Sequence, residues 1–468
     1  MVGIESRTDL PAEVTRLMPE LKQNLKDLVK IPSVSAKPNA PLKKTAEAVA
    51  KLLREAGMPT VEVRTLKHAD GKKDSAPLVY AKREGTENGP TVLLYAHYDV
   101  QPADTPWSND RKPFEPAEEG SGDNVRLFGR GAADDKAGIV MHVGAIRAVL
   151  GLTDDLGLTV KVVVEGEEET GESALDNHIE KNPKDKDYLA DVVVVADTGN
   201  VELGKPTLTS TLRGIAVVDI EIETLKTQVH SGMYGGPAPD AFMALTKVLA
   251  TLHDADGNVA VPGLATHEGT WPEVKETSFR TTAGILQNVK LIGTGTIEQR
   301  LYGKPSINVV GLSGPPSAES PSNVLTPKAK ARVSLRLAPN QDTAAALKAL
   351  KEHLKKAVPW GAKATITEVG EGRGFAAKET SAHLAVIKKA LTDAYPGESV
   401  AEAGQGGSIP LVAAFAKANK EADVVLWGCE EPLANIHGID ESVSYSELEH
   451  MTLAEANLLH ALATADRP

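Results

Sequence analysis

The sequence predicts an α/β fold: a sheet covered by helices on both faces, with a smaller α+β domain inserted into it. Three observations carry that expectation. Short apolar runs (Thr91–Ala96, Thr159–Val164, Val192–Ala196) alternate with helical stretches whose apolar residues recur on one face. Each run stops at a group able to bind a metal: His97, Glu165 and Asp197. Beyond Asp197 the pattern switches to partly wet strands and two helices, as in a separate small sheet.

The elements follow in order. Leu17, Leu21, Leu25 and Leu28 share one helical face. Their helix ends before Ile31-Pro32, where proline cannot continue it. A second helix, Thr45–Arg54, stops near Gly57. Short strands are expected at Val61–Val63 and Leu78–Ala81, then the strand that ends at His97. The amphipathic stretch Ala137–Leu150 is a third helix, followed by the strands Thr159–Val164 and Val192–Ala196. In the inserted region Gly214–Glu223 reads as a strand, with Ile215 and Val217 in one phase and Ile220 and Ile222 in the other. A helix is expected over Pro239–Leu252, then an irregular stretch that includes Asn258–Tyr302. A strand at Ala331–Leu337, a helix at Thr343–Lys356 and a strand at Lys363–Val369 complete the insertion. The large domain resumes with the helix Ser381–Leu391, the strand Asp423–Trp427 and the helix Ser446–Ala463.

A chain of 468 residues exceeds one ordinary core and suggests two or three domains. Its 41% hydrophobic and 25% charged content is that of a soluble globular protein. The formal net charge of −13 argues against nucleic-acid binding, which needs a basic surface. Cys429 is the single cysteine, so an intrachain disulfide and a cysteine-based zinc site are both excluded. Any metal must use His, Asp and Glu. The stretch Met1–Leu10 lacks the features of a signal peptide, and no apolar run approaches a membrane span. The expected location is the cytoplasm, with no membrane partner.

Two metal ions held close together need several carboxylates and imidazoles, one carboxylate bridging. The candidates are His97, Asp134-Asp135, Glu167-Glu168-Glu169, Asp197 and a later His. Each alone has a plainer reading. A His behind a strand is commonly structural, paired acids in a loop are commonly solvated, and a glutamate run is commonly an exposed face. Their common placement favours the metal: a solvated acid cluster has no reason to fall at the end of each long apolar strand.

Longer motifs add to this. They are Leu94–Pro102 (containing His97-Tyr98-Asp99), Trp107, Lys112-Pro-Phe114, Gly129–Lys136, Glu165–Gly171, His230–Gly236 and Gly406–Pro410. With them the chain resembles the dinuclear-metal aminoacylase, carboxypeptidase and dipeptidase family of metallopeptidases. Within that family it is most similar to the carnosinase-like and cysteinylglycine-type cytosolic dipeptidases. The resemblance implies a mixed-sheet catalytic domain of zinc-aminopeptidase-like type, in two parts over residues 1–208 and 374–468. It implies an inserted α+β lid and dimerisation domain over 209–373.

Residue by residue, the resemblance implies that His97 and Asp197 share one metal and that Glu169 and His437 share the other. Asp134 matches the bridging carboxylate, Asp99 the acid that orients His97, and Glu168 the general base. The peptide bond after Asp134 is expected to be cis. His230 matches an imidazole that reaches the active site of the partner subunit in a homodimer. Arg336 matches the residue that grips the substrate carboxylate, and Asn308 and Ser408 match further substrate contacts. From the residues alone, Arg336 is equally an exposed strand residue, His230 a loop histidine and Ser408 a turn residue. The implied cofactors are two divalent ions per subunit, Zn²⁺ first and Mn²⁺ second. The implied reaction is hydrolysis of dipeptides with a free C-terminal carboxylate. Its alternative is deacylation of N-acyl amino acids, and a further rival is a metal-binding protein without activity. Gln228-Val229 and Ala137 depart from the dipeptidase pattern, at positions that bind no metal.

Overall fold

The computed structural model describes residues 9–464 apart from 38, 154, 155, 172 and 379. Most of the N-terminal stretch read for a leader lies outside them. Helix α1 (Leu10–Val29) starts where the Asp9 carboxylate accepts the Ala12 amide at 3.0 Å. Its four periodic leucines are all buried, as their spacing predicts. Helix α2 (Leu42–Glu55) and strands β1 (Thr60–Arg64), β2 (Leu78–Arg83) and β3 (Thr91–His97) follow. Helix α3 (Lys136–Leu152) precedes β4 (Thr159–Glu165) and β5 (Val192–Val195).

The chain then enters the small sheet. Its elements are β6 (Gly214–Glu223), helix α4 (Ala241–Ala250), β7 (Ser306–Ser313), β8 (Lys328–Leu337), helix α5 (Thr343–Ala357) and β9 (Lys363–Gly372). The strand order is β7-β8-β6-β9, antiparallel throughout. One face buries Ala216, Val218, Ile220 and Ile222 with Ala331, Val333 and Leu335, in one core with residues of α4 and α5.

One expectation stands here and one needs correction. In β6 the even positions from Ala216 to Ile222 are buried, so Ile215 and Val217 face away from Ile220 and Ile222, as their two phases predict. The sheet also has a fourth strand, β7, inside the stretch read as irregular. This strand lies at the sheet edge, exposes Val309, Val310 and Leu312, and shifts register between Val309 and Gly311. Apolar residues therefore fall on both phases, and no period of two is visible.

Strand β10 (Asp423–Leu426) and helix α6 (Tyr445–Thr464) return to the large sheet. Its order is β1-β2-β4-β3-β5-β10, then Thr207–Leu212. The four central strands β4, β3, β5 and β10 are parallel, while β1, β2 and Thr207–Leu212 pair antiparallel. This is a mixed sheet. Val92, Leu94 and Ala96 join the core formed with α1, α3 and α6. On the other face the Tyr95 ring meets Phe415, of helix Pro410–Ala418, edge-on at 6.1 Å. Cover on both faces explains why these strands read as unbroken apolar runs. Thr211–Ala376 and Gly404–Ile409 form one compact unit, and the rest of the described chain forms the other.

Candidate metal centre

Parallel strands all present their carboxyl ends along one edge, so the residues just beyond each strand meet there. His97 closes β3, Glu165 closes β4 ahead of the turn Glu168–Thr170, Asp197 follows β5, and Glu430 follows β10. Asp134 arrives from the loop before α3, and its bond to Asp135 is cis. The loop comes so close that a Cβ on Gly138 would lie 2.2 Å from Asp135 Oδ1 and 2.6 Å from Ala196 Cβ, so only glycine fits.

The two carboxylate oxygens of Asp134 face two different imidazoles. His97 Nε2 is 3.0 Å from Oδ1, and His437 Nε2 is 2.9 Å from Oδ2. His97 Nε2 also lies 3.5 Å from Asp197 Oδ1, and His437 Nε2 lies 3.2 Å from Glu169 Oε2. Among the described residues three metal-capable groups result: His97 with Glu168 and Asp197, Asp134 with Glu169 and His437, and Asp134 with Asp197 and Glu430. The donor atoms in each lie within 4.8 Å of one another. All six expected residues of this cluster (His97, Asp134, Glu168, Glu169, Asp197, His437) are thus brought together, in one unit.

A second set of contacts holds them. His97 Nδ1 is 3.1 Å from the backbone carbonyl of Asp99 and 3.5 Å from its Oδ1. The other oxygen of that carboxylate, Oδ2, accepts the Glu169 amide at 3.1 Å. Gln101 clamps Glu169: its backbone N–H donates to Oε1 at 3.1 Å and its Nε2 to Oε2 at 2.7 Å. Buried Arg130 donates to Glu441 Oε2 at 2.6 Å and to the carbonyls of His437 and Gly438 at 3.2 and 2.9 Å. Glu441 Oε1 in turn accepts the amides of Ala133 and Asp134 at 3.1 and 3.2 Å. One ion pair therefore fixes the loops that carry Asp134 and His437.

Gln101, Arg130, Glu430 and Glu441 received no role from sequence. Glu430 had a signal, because it follows an apolar strand as Asp197 does. Gln101 and Arg130 lay inside the longer motifs, and Glu441 had no local signal.

Charge is unbalanced at the centre. Burial and the neighbouring Asp134 push the Asp197 carboxyl up to about 6, with His97 partly offsetting them. Burial, then the charge of Asp197, drives Glu168 well above the carboxylate range. Burial, then Asp134 and Asp197, does the same to Glu430. Burial opposes ionisation of Asp134 too, but hydrogen bonds from His437 and His97 outweigh it and hold its carboxyl well below the usual range. Hydrogen bonds to Asp134 and Glu169 hold His437 up at about 11. Buried carboxylates in this number call for added positive charge. The donors are oxygen and imidazole nitrogen alone, a set that fits borderline to hard divalent cations.

The expected substrate-side residues lie in the other unit. His230 ends the short strand Val229–His230, paired with Val324–Leu325, and is exposed. Its Nδ1 accepts the Gly232 amide at 3.1 Å, and its Nε2 has no partner among the described residues. On the outer face of the small sheet Arg336 stands opposite Ser306 and Asn308 opposite Ser334. Ser408 lies in the Gly404–Ile409 segment, its Oγ buried without a partner among the described residues.

The chain matches peptidase family M20/M25/M40 over residues 93–461. It belongs to that family. This M20 chain is 40% identical over 396 residues to the cysteinylglycine-S-conjugate dipeptidase of Corynebacterium striatum, covering 82% of this chain and 84% of that one. It is 28% identical over 357 residues to the Beta-Ala-His dipeptidase of Homo sapiens, with 72% and 69% covered. Among solved structures it superposes on the di-peptidase Dug1p from Saccharomyces cerevisiae with TM-score 0.84 at 22% identity, over 98% of each chain. Human carnosine dipeptidase 1 superposes with TM-score 0.81 at 23% identity, over 97% of this M20 chain and 98% of that one. At these identities the superpositions speak for the fold.

Proposed function

We propose that this chain is a metal-dependent dipeptidase acting on dipeptides with a free C-terminal carboxylate. The observation that carries the reading is Asp134, turned with one oxygen to each of two imidazoles, with Glu168 grouped with His97 and Asp197. The dipeptidase names of its relatives support the same reading.

In this reading His97, Asp197 and Asp134 hold one divalent ion, and Asp134, Glu169 and His437 hold a second. Zn²⁺ suits the donor set best and Mn²⁺ next. When bound, the ions supply Lewis acidity and a water of lowered pKa. Glu168 takes the proton of the attacking water and delivers it to the leaving amine. Asp99 positions His97 through its carbonyl and Glu169 through its carboxylate. Arg336, with Asn308 and Ser408, holds the substrate carboxylate. The free Nε2 of His230 donates to the scissile carbonyl oxygen in the partner subunit of a homodimer. The buried lone thiol of Cys429 is in keeping with a cytoplasmic location.

The test is metal-depleted protein refilled with Zn²⁺ or Mn²⁺ and offered dipeptides beside N-acetyl and N-succinyl amino acids. Dipeptides are expected to turn over and acylated amino acids to lag; the reverse order makes the enzyme a deacylase. Glu168→Ala should lower kcat by at least about 10²-fold with metal content intact. Near-normal turnover in that variant sinks the assignment of the base. Mixing inactive Glu168→Ala and His230→Ala chains should restore part of the activity, because one site of each mixed dimer is complete. No recovery after subunit exchange would rule out action in trans.

A further inference from the structure

The outer face of the small sheet is laced with ion pairs except at one end. Arg332 Nε lies 2.8 Å and Lys330 Nζ 2.7 Å from the Asp219 carboxylate, and Lys328 Nζ lies 2.9 Å from Glu223. Further along the same face Arg336 has no acidic partner among the described residues, and neither does Arg213. Arg213 is only 9% exposed. Its Nε donates to the Gly406 carbonyl at 3.2 Å and its Nη1 to Ser306 Oγ at 3.0 Å, while Nη2 has no partner among the described residues. Burial, then the neighbouring Arg336, holds its guanidinium down at about 10.

A guanidinium so deeply buried ordinarily has a counter-ion, since an unpaired buried charge is costly. Here the buried Arg213 and the half-buried Arg336 stand on either side of one serine. Ser306 is opposite Arg336 across β7 and β8, and its hydroxyl accepts from Arg213. One carboxylate neutralises one of them and leaves the other bare. Neighbouring strands lie about 5 Å apart, within reach of an aspartate or glutamate side chain.

We propose that Arg213 and Arg336 form a two-guanidinium pocket for a dicarboxylate, so that the preferred dipeptide ends in Asp or Glu. The α-carboxylate sits at Arg336 and the side-chain carboxylate at Arg213, with Ser306 between them. This rests on the dipeptidase reading, in which Arg336 holds the terminal carboxylate.

The experiment compares a charged ligand with its neutral isostere. Ala-Glu and Ala-Gln are assayed for kcat/KM on metal-loaded full-length protein, and L-glutamate and L-glutamine are titrated calorimetrically. The wild type is expected to favour the acid on the order of tenfold in both measurements. In Arg213→Met both ratios fall toward one. In Arg213→Lys they fall several-fold, because an ammonium cannot make the paired hydrogen bonds of a guanidinium. A purely structural role would lower both substrates together and leave the ratio alone. Equal use of acid and amide by the wild type overturns the pocket, as does an unchanged ratio in whichever variant folds. If no dipeptide is cleaved at all, the dipeptidase reading fails, and the calorimetric ratio still decides the pocket.

Discussion

At the scale of single residues, Gln101 shows how much of a metal site lies outside its ligands. Its three hydrogen bonds at 2.7 to 3.1 Å occupy both oxygens and the carbonyl of Glu169. They fix which lone pairs that carboxylate can turn toward a cation and His437. Gln101→Leu keeps the backbone bond and removes the two made by Nε2. It should weaken binding at the Glu169–His437 position by about 10- to 100-fold, the usual cost of losing such support. Competition with a chromophoric chelator would measure this, and unchanged affinity for both ions would refute it. His97, Asp134 and Asp197 were legible because each stands at a strand end or in a glycine-bracketed loop. Gln101 and Glu441 were not, because their partners lie far along the chain: Glu169 is 68 residues from Gln101 and Asp134 is 307 from Glu441. No local pattern records such a contact.

At the scale of elements, α3 is tied to the sheet and to α6 by a buried imidazole. His142 Nδ1 is 2.8 Å from Glu455 Oε1, and its Nε2 is 3.0 Å from the carbonyl of Tyr95. A carbonyl and a carboxylate both accept, so both ring nitrogens donate and the ring is the imidazolium. Burial opposes that charge, but Glu455 outweighs it and raises the His142 pKa. A raised folded-state pKa gives stability that is full below the unfolded value, about 6.5. It is lost as pH climbs through the folded value. Glu455→Gln should therefore destabilise by about 3 kcal/mol near pH 6, with a gap to the wild type that narrows at higher pH. Urea unfolding at several pH values measures it, and a gap that stays constant or widens would sink the idea. The chain's long helices and buried strands were readable for the same reason that they are stable: a continuous apolar face. Edge strand β7 was not, because solvent on one side and a register shift erase its period. The short helix Glu276–Thr282, with no buried residue, left no apolar signature either.

At the scale of the whole molecule, the decisive fact is an excess of acid gathered at one sheet edge. A formal charge of −13 is spread along the chain, yet Glu168, Asp197 and Glu430 are each held toward their neutral forms by burial and by neighbouring carboxylates, Asp134 among them in every case. The N-terminal helix is drawn into the same region, since Lys136 Nζ donates to the carbonyls of Leu28 and Ile31 at 3.0 and 2.9 Å. Under the proposed function, cations at this edge would stabilise the fold as well as serve the reaction, because the unfolded chain cannot assemble the ligands. An ion present at 1,000 times its dissociation constant adds about 4 kcal/mol. For a chain of 468 residues, at about 2 cal/mol/K of unfolding entropy per residue, each kcal/mol shifts the unfolding temperature by about 1 °C, and two such ions would act together. Exhaustive chelation should thus lower the unfolding midpoint by on the order of 10 °C, and Zn²⁺ or Mn²⁺ should restore it. Asp134→Ala removes the residue common to the two proposed ion positions and should abolish the metal-dependent shift, whatever it does to the starting stability. Scanning calorimetry of both proteins with and without metal decides the matter. A full metal response in the Asp134 variant would place the ions elsewhere in the molecule.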